Sequence, residues 1–386
     1  MRDLIFVSLE EWDEIWRRNQ FLCAGLARRF PDQKTLFCGP PRAVAQLLRR
    51  GDIAGLRHQA TRAVPGLPNV HIMCPFRPLP NSLPGARRIN EAAMRFQVRA
   101  QARKLGIDDA ILWLNPHDAV HMAGRMNERA VVYDITDDWI LAADSKRERA
   151  LVRRQDKRLC RAADLVVVCS RALEQSRRAQ SRHILLLPNG VDVEHYKNVS
   201  RPAPRKSAWP APVLGYTGSL HPARIDVDLV IALARAFPQG TIALVGPDSL
   251  DARARGSLAK QKNIRLPGAV AYACIPETMA QFDVCIVPHV ESSFTESLNP
   301  IKLWEYLASG KPVVSTNVAG FRDYAHLCHI ATGAESFIAA CREALQEAAS
   351  GEDNGKSARM QEAAKHGWES RIDCLLDELK LRGIIG

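Results

Sequence analysis

A lysine and a glutamate three positions apart, Lys302 and Glu305, sit in the stretch NPIKLWEYLASGKPVV from Asn299 to Val314. On a helix this spacing puts a cation and a carboxylate on one face, where a solvated pair contributes only about 0.2 to 0.5 kcal/mol. At the carboxyl end of a strand in an open α/β sheet, the same two groups stand where ligands bind. VCIVP before the stretch and KPVVST within and after it read as buried parallel strands, which favours the second reading. A second set, Asp134, Asp137 and Asp138, closes the apolar run VVYDITDDW between Tyr133 and Trp139. Carboxylates at a strand end can orient hydroxyls, cap the next helix or hold a hard cation. His117 follows the strand-like AILWLN and a proline, with His121 a turn further on.

The element that positions Lys302 and Glu305 has both ends written into it. Asn299 suits a cap, Pro300 the first helical position, and Gly310 a left-handed end. Ile301, Trp304, Leu307 and Ala308 fall on one apolar stripe, and Lys302, Glu305, Tyr306 and Ser309 on the other face.

The 386 residues have room for two or three domains, and a hydrophobic fraction of 46% with 25% charged residues is ordinary for a globular chain. No run approaches the roughly 20 apolar residues of a membrane span, and MRDLIFVSLEEWDE turns acidic too soon for a signal peptide, so a cytoplasmic protein is expected. The ten cysteines show no Cys-x-x-Cys pair and several, such as Cys169 and Cys285, lie in apolar runs, which implies reduced, buried thiols. Residues 1–185 hold 32 Lys plus Arg against 20 Asp plus Glu, and the remainder 21 against 22. The basic excess includes two expected helices, Ala86 to Leu105 and Lys146 to Ala163, and such a surface attracts anionic lipid, nucleic acid or a phosphorylated substrate. Interleaved aromatics and zinc-finger spacing are lacking, so no nucleic-acid partner is expected.

Along the chain, LIFVSL, TLFCGPP, VHIMCPF, AILWLN, VVYDITDDW, DLVVVCS and LLLPNG read as short buried strands with helical stretches between them. One helix is expected across EEWDEIWRRNQFLCAGLARRF, with Trp12, Ile15, Leu22 and Leu26 inward. SRPAPRKSAWPAP reads as a linker, after which VLGYTGSL, TIALVGP, NIRLPG, VCIVP and KPVVST restart the α/β rhythm. The expected division is 1–199, a linker at 200–212, a second domain at 213–366 and a terminal helix at 367–386.

Taken together, PNGVD at Pro188 to Asp192, YTGSL at Tyr216 to Leu220, the run from Pro267 to Phe282 and above all NPIKLWEYLASGKPVV resemble retaining, nucleotide-sugar-dependent glycosyltransferases of family 4. With WDEIWRRNQ and VVYDITDDW, the chain is similar to the subgroup that builds bacterial cell-surface polysaccharides, teichuronic acid glycosyltransferases included. The resemblance implies an α/β protein of the GT-B fold: two Rossmann-like domains facing across a cleft, the terminal helix crossing back to the first. It implies donor contacts at Gly218, Ser219, Arg224, Pro267, Gly268, Ser297, Leu298, Asn299, Lys302 and Glu305, with Glu305 on the ribose. Asp137, Asp138, His117, Lys302 and Arg224 are the expected catalytic set, with Asp134, Arg17 and Arg18 on the acceptor side. The family's E-x7-E motif has Ser297, not a glutamate, at its first position, and Glu296 lies one place early. Ser219 stands where the family usually has an arginine, and Arg224 where it has a lysine.

The implied partners are a UDP-, GDP- or TDP-sugar as co-substrate, a glycan or lipid-linked acceptor and an anionic membrane surface on the inner face of the plasma membrane. No bound cofactor or metal is implied. A sugar-nucleotide 2-epimerase of the same fold is the main alternative, followed by a phosphorylase and a non-catalytic basic binding module.

Overall fold

The computed structural model describes residues 2–49, 51, 61–143, 145–199, 209–350, 353 and 355–386. The chain divides into two compact units, Met1–Pro188 with Ile372–Gly386, and Asn189–Arg371.

The first unit is built on β1 (Leu4–Val7), β2 (Thr35–Cys38), a short β3 (Arg42–Ala43), β4 (Arg62–Val64), β5 (Leu67–Met73), β6 (Phe76–Arg77), β7 (Ile111–Leu114), β8 (Ala130–Ile135), β9 (Leu165–Val168) and β10 (Ile184–Leu186). Eight of these form one sheet in the order β10-β9-β8-β7-β1-β2-β5-β4, parallel apart from β4, while β3 pairs with β6. The central strands β1, β7 and β9 are apolar and buried throughout because helices cover both faces of a parallel sheet. The strand order reverses between β1 and β7, so the loops after these two strands open at the topological switch point.

The second unit holds β11 (Val213–Thr217), β12 (Thr241–Val245), β13 (Ile264–Gly268), β14 (Val284–Val287), β15 (Val313–Thr316) and β16 (His329–Ala331). They form a wholly parallel sheet in the order β13-β12-β11-β14-β15-β16, reversing between β11 and β14. Alternate residues feed two cores: Leu214, Ile242 and Leu244 on one face, Val213, Ala243 and Val245 on the other.

Several expected boundaries shift for physical reasons. The first helix runs only from Arg18 to Arg29, because the Arg17 N–H is capped by the Gln20 side chain at 2.9 Å; Trp12 and Trp16 instead pack edge-on against Phe37 and Phe21. Asn189 to Val199 falls in the second unit rather than the first, since Val191, Tyr196 and Val199 share a core with Leu303 and Trp304. The expected linker lies outside the described residues at 200–208. The helix Trp368–Leu381 belongs to the second unit up to Arg371 and to the first from Ile372 onward, as a crossing helix must. Ile372 packs directly on Gly25, where an added Cβ would come within 1.9 Å of its side chain. The helices at Ala86–Leu105 and Lys146–Ala162 form as expected, and among the described residues no helix is long and apolar enough to cross a membrane.

Candidate functional site

In the second unit, β11 leads into Gly218 and Ser219 and β14 into Pro288 and His289, on either side of the switch point. Gly218 and Gly246 have φ of +143° and +152°, and a Cβ on Gly246 would lie 2.1 Å from the Gly218 carbonyl oxygen. Only glycine allows the two loops to approach this closely. The Lys302 ammonium is brought against the Gly218 backbone, where an added Cβ would lie 2.9 Å from Nζ, and it stands 5.2 Å from the centre of the Tyr216 ring. Arg224, on the loop after Gly218, lies over the Phe294 ring at 5.6 Å. His289, 2% exposed, has its Nε2 3.3 Å from the Tyr216 hydroxyl. Burial holds its pKa well below the ordinary imidazole value, and the charges of Lys302 and Arg224 depress it further. Two cations thus act on one neutral imidazole at the end of β14.

The helix that carries Lys302 runs from Ile301 to Ser309 and ends at Gly310 with φ +71°, the left-handed end the sequence implies. Its start differs. Pro300 occupies the cap position and no side chain caps the helix. Asn299 turns back instead: its Oδ1 accepts the Asn189 N–H at 2.8 Å, and its carbonyl accepts from the Asn189 side chain at 2.5 Å. The PNG turn and the loop before the helix are thereby joined, which leaves the first helical N–H groups without a side-chain cap, an arrangement suited to an anion.

Glu305, half-buried, accepts a hydrogen bond from the Tyr196 hydroxyl at 2.9 Å. Burial raises its pKa, opposed first by the Tyr196 bond and then by Lys302. Tyr196 belongs to a ring cluster in which His195 and Tyr272 stack at 4.1 Å. Tyr306 and Ser309 are buried, contrary to the polar face expected of them. The Tyr306 hydroxyl accepts the Thr217 N–H at 2.8 Å and fastens the helix to the end of β11, and Trp304 stacks on His366 at 3.7 Å. The helix is covered nearly all round, leaving Ile301, Lys302 and Glu305 as its only residues not fully buried.

The loop before it carries the two residues at and beside the first E-x7-E position. Glu296 is exposed and pairs with Arg322 at 2.6 Å, and the Ser297 hydroxyl donates to the Phe294 carbonyl at 2.7 Å. The Ser297 and Leu298 side chains are both buried. Gly268, φ +87°, ends β13 and accepts the Gly246 N–H at 2.9 Å, with Pro267 exposed beside it.

In the first unit three of the expected site residues are engaged in buried ion pairs. Asp134 is wholly buried and receives Arg18, itself 3% exposed, through Nε and Nη2 at 3.0 to 3.1 Å; Arg18 also donates to the Leu187 carbonyl. Asp138 accepts both Nη groups of Arg177 at 2.8 and 2.9 Å and caps Ile140. Arg177 Nε reaches Asp156 at 3.1 Å, and Asp156 accepts the Tyr133 hydroxyl. Asp134, Arg18 and Asp138 are therefore buried structural charges, because burying a carboxylate demands a matched cation. Asp137 alone of the three carboxylates is not fully buried.

Glu10, just after β1, is the residue sequence reasoning passed over. Burial raises its pKa; Arg17 draws it down, and Asp137 and Asp134 push it up, so Glu10, Arg17 and Asp137 share one neighbourhood. His117, after β7, meets the Gln155 side chain at 3.3 Å. Position was the available signal: Glu10 and His289 both directly follow apolar runs that end in the sheet. Among the described residues no three His, Cys, Asp or Glu side chains gather so as to hold a metal ion.

Residues 211–347 match the family model of glycosyl transferases group 1. The second unit carries a group 1 glycosyltransferase domain. The chain is 26% identical over 277 residues to a Bacillus subtilis protein, TuaH, named for teichuronic acid biosynthesis as a glycosyltransferase, covering 66% of this chain and 67% of that one. It shares its fold with sucrose-phosphate synthase from Thermosynechococcus elongatus, at 16% identity and a TM-score of 0.73 over 100% of this chain and 99% of that one. Anabaena HepE, solved with UDP-glucose, aligns at 17% identity and a TM-score of 0.68 over 98% and 100%. The two Rossmann-like units are those of the GT-B fold. Within the group 1 domain fall Gly218, Arg224, Gly246, Gly268, His289, Lys302 and Glu305, whereas Tyr196 precedes it.

Proposed function

We propose that this glycosyltransferase moves a sugar from a UDP-, GDP- or TDP-sugar to a glycan acceptor, lipid-linked, with retention at the anomeric carbon, in the synthesis of a bacterial cell-surface polysaccharide. The observation that carries the reading is the convergence of Lys302 and Arg224 on His289, beside two glycine loops and an uncapped helix start. A departing diphosphate needs such a clamp, since negative charge grows on it as the glycosidic bond breaks. Gly218, Ser219 and the backbone from Ser297 to Asn299 line the diphosphate, Glu305 takes the ribose hydroxyls and Pro267 with Gly268 borders the base.

The acceptor hydroxyl attacks from the face the diphosphate leaves. Its proton passes to the leaving phosphate oxygen, so the step needs no protein nucleophile. Asp137, Glu10, Arg17 and His117 hold the acceptor at the first unit's own switch point. Cytoplasmic docking on an anionic membrane is supported by the helix Ala86–Leu105, which exposes Ile89 and Phe96 beside Arg88, Arg99 and Arg103.

A thermal-shift screen against UDP-, GDP-, TDP- and CMP-sugars tests the donor reading: one nucleotide class stabilises the fold, and no stabilisation by any of them refutes it. Product analysis with donor alone tests the alternative, since an epimerase turns over without an acceptor. Sedimentation with anionic against neutral vesicles tests the docking.

A further inference from the structure

We infer that the first unit carries a second anion site, at the opposite edge of its sheet from the switch point, which takes a phosphate or diphosphate group. A cavity of about 360 Å³ lies there, lined by Arg129, Asp164, Arg182, His183, Arg382 and Ile384 among others. Arg129 immediately precedes β8, Asp164 precedes β9 and His183 precedes β10, so three adjacent parallel strands deliver them to one place. Arg382 and Ile384 come from the turn after the helix Trp368–Leu381, within the same unit.

Charge accounting makes the cavity an anion site. The Asp164 carboxylate is committed to the Val131 N–H at 2.8 Å, and Arg382 pairs through Nε with Glu378 at 2.8 Å. Among the described residues the side chains of Arg129 and Arg182 have no hydrogen-bond or ion-pair partner. Three guanidiniums and an imidazole thus face one cavity with a single carboxylate among its lining residues. Guanidinium forks match phosphate oxygens two at a time, which distinguishes this class of ligand from a lone halide or a neutral sugar. An occupant would bridge the starts of β8 and β10 to the turn at Arg382. The inference does not rest on the donor reading, because no residue of the second unit takes part.

Calorimetric titration of the full chain with inorganic pyrophosphate, for wild type and the Arg129→Gln/Arg182→Gln variant, tests it. Both arginines are exposed, so the variant folds; its UDP-sugar binding serves as the independent control. A second arm measures binding to vesicles of phosphatidic acid in phosphatidylcholine. Loss of at least tenfold in pyrophosphate affinity at one site assigns the cavity to soluble phosphates. A loss confined to phosphatidic acid vesicles assigns it to a lipid headgroup and equally supports the inference. Unchanged binding in both arms overturns it, whatever the outcome with UDP-sugar.

Discussion

At the carboxyl edge of the first sheet, Asp134 and Asp138 are each matched by an arginine brought from elsewhere in the chain. At the same edge of the second sheet, Lys302 and Arg224 act together on a buried neutral histidine. Both regions place ionised groups at strand ends. The first spends its charge internally, in pairs that hold elements together. The second brings two cations to a point where glycines keep side chains away. A cluster of like residues at a strand end is therefore weak evidence for a site until the partners are known, and two cations converging on a glycine-lined strand end are stronger evidence.

Breaking the internal pairs should have the largest effect. Arg177→Met strands Asp138 and Asp156 in the interior and should lower stability by about 3 to 5 kcal/mol, read from urea denaturation. A change below 1 kcal/mol would place those carboxylates in water. Next comes Gly246→Ala, whose Cβ would meet the Gly218 carbonyl at 2.1 Å in a backbone conformation hostile to alanine. Its expected cost is about 1 to 3 kcal/mol, with weaker nucleotide binding from the displaced Gly218 loop; unimpaired binding would separate this loop from the site. Glu305→Gln should keep the fold and weaken nucleotide-sugar binding at least about tenfold, since a hydrogen bond to a charged group is worth roughly 1.5 to 3 kcal/mol and about 1.4 kcal/mol is a factor of ten. A purely structural glutamate predicts no change in the same titration.

The smallest effect concerns pH. His289 is held neutral in the folded protein while the unfolded chain takes up a proton below about pH 6.5. The unfolded state then binds more protons, so stability is full above that value and falls as pH drops, by at most about 1.4 kcal/mol per unit. His289→Gln should flatten that slope in denaturation measured from pH 7 to pH 5; an unchanged slope would assign it to other groups.

The strands and the long basic helices were legible because their signals are local: apolar runs of four to six residues, and Gly310 at a helix end. The helix that carries Lys302 and Glu305, and its place after a sheet strand, were legible too, from spacing and from the strands beside it. What escaped the sequence was pairing over distance. Arg18 lies 116 positions from Asp134, and Arg177 lies 39 from Asp138, so three aspartates in five residues looked like a site. Asn299 has the right type for a cap, yet Asn189, 110 positions earlier, claims its side chain. Tyr306 and Ser309 looked polar in a helical projection, but the end of β11 supplies the partner that lets Tyr306 be buried.

We propose above all that the second unit clamps a nucleotide diphosphate with Lys302. Calorimetric titration of wild type and Lys302→Ala with UDP, GDP and TDP tests it most directly. One of these should bind wild type, and the variant, folded, should bind it about 10- to 100-fold more weakly, as loss of a hydrogen-bonded charge on phosphate requires. Equal affinity in the two proteins, or no nucleotide binding by wild type, would contradict it.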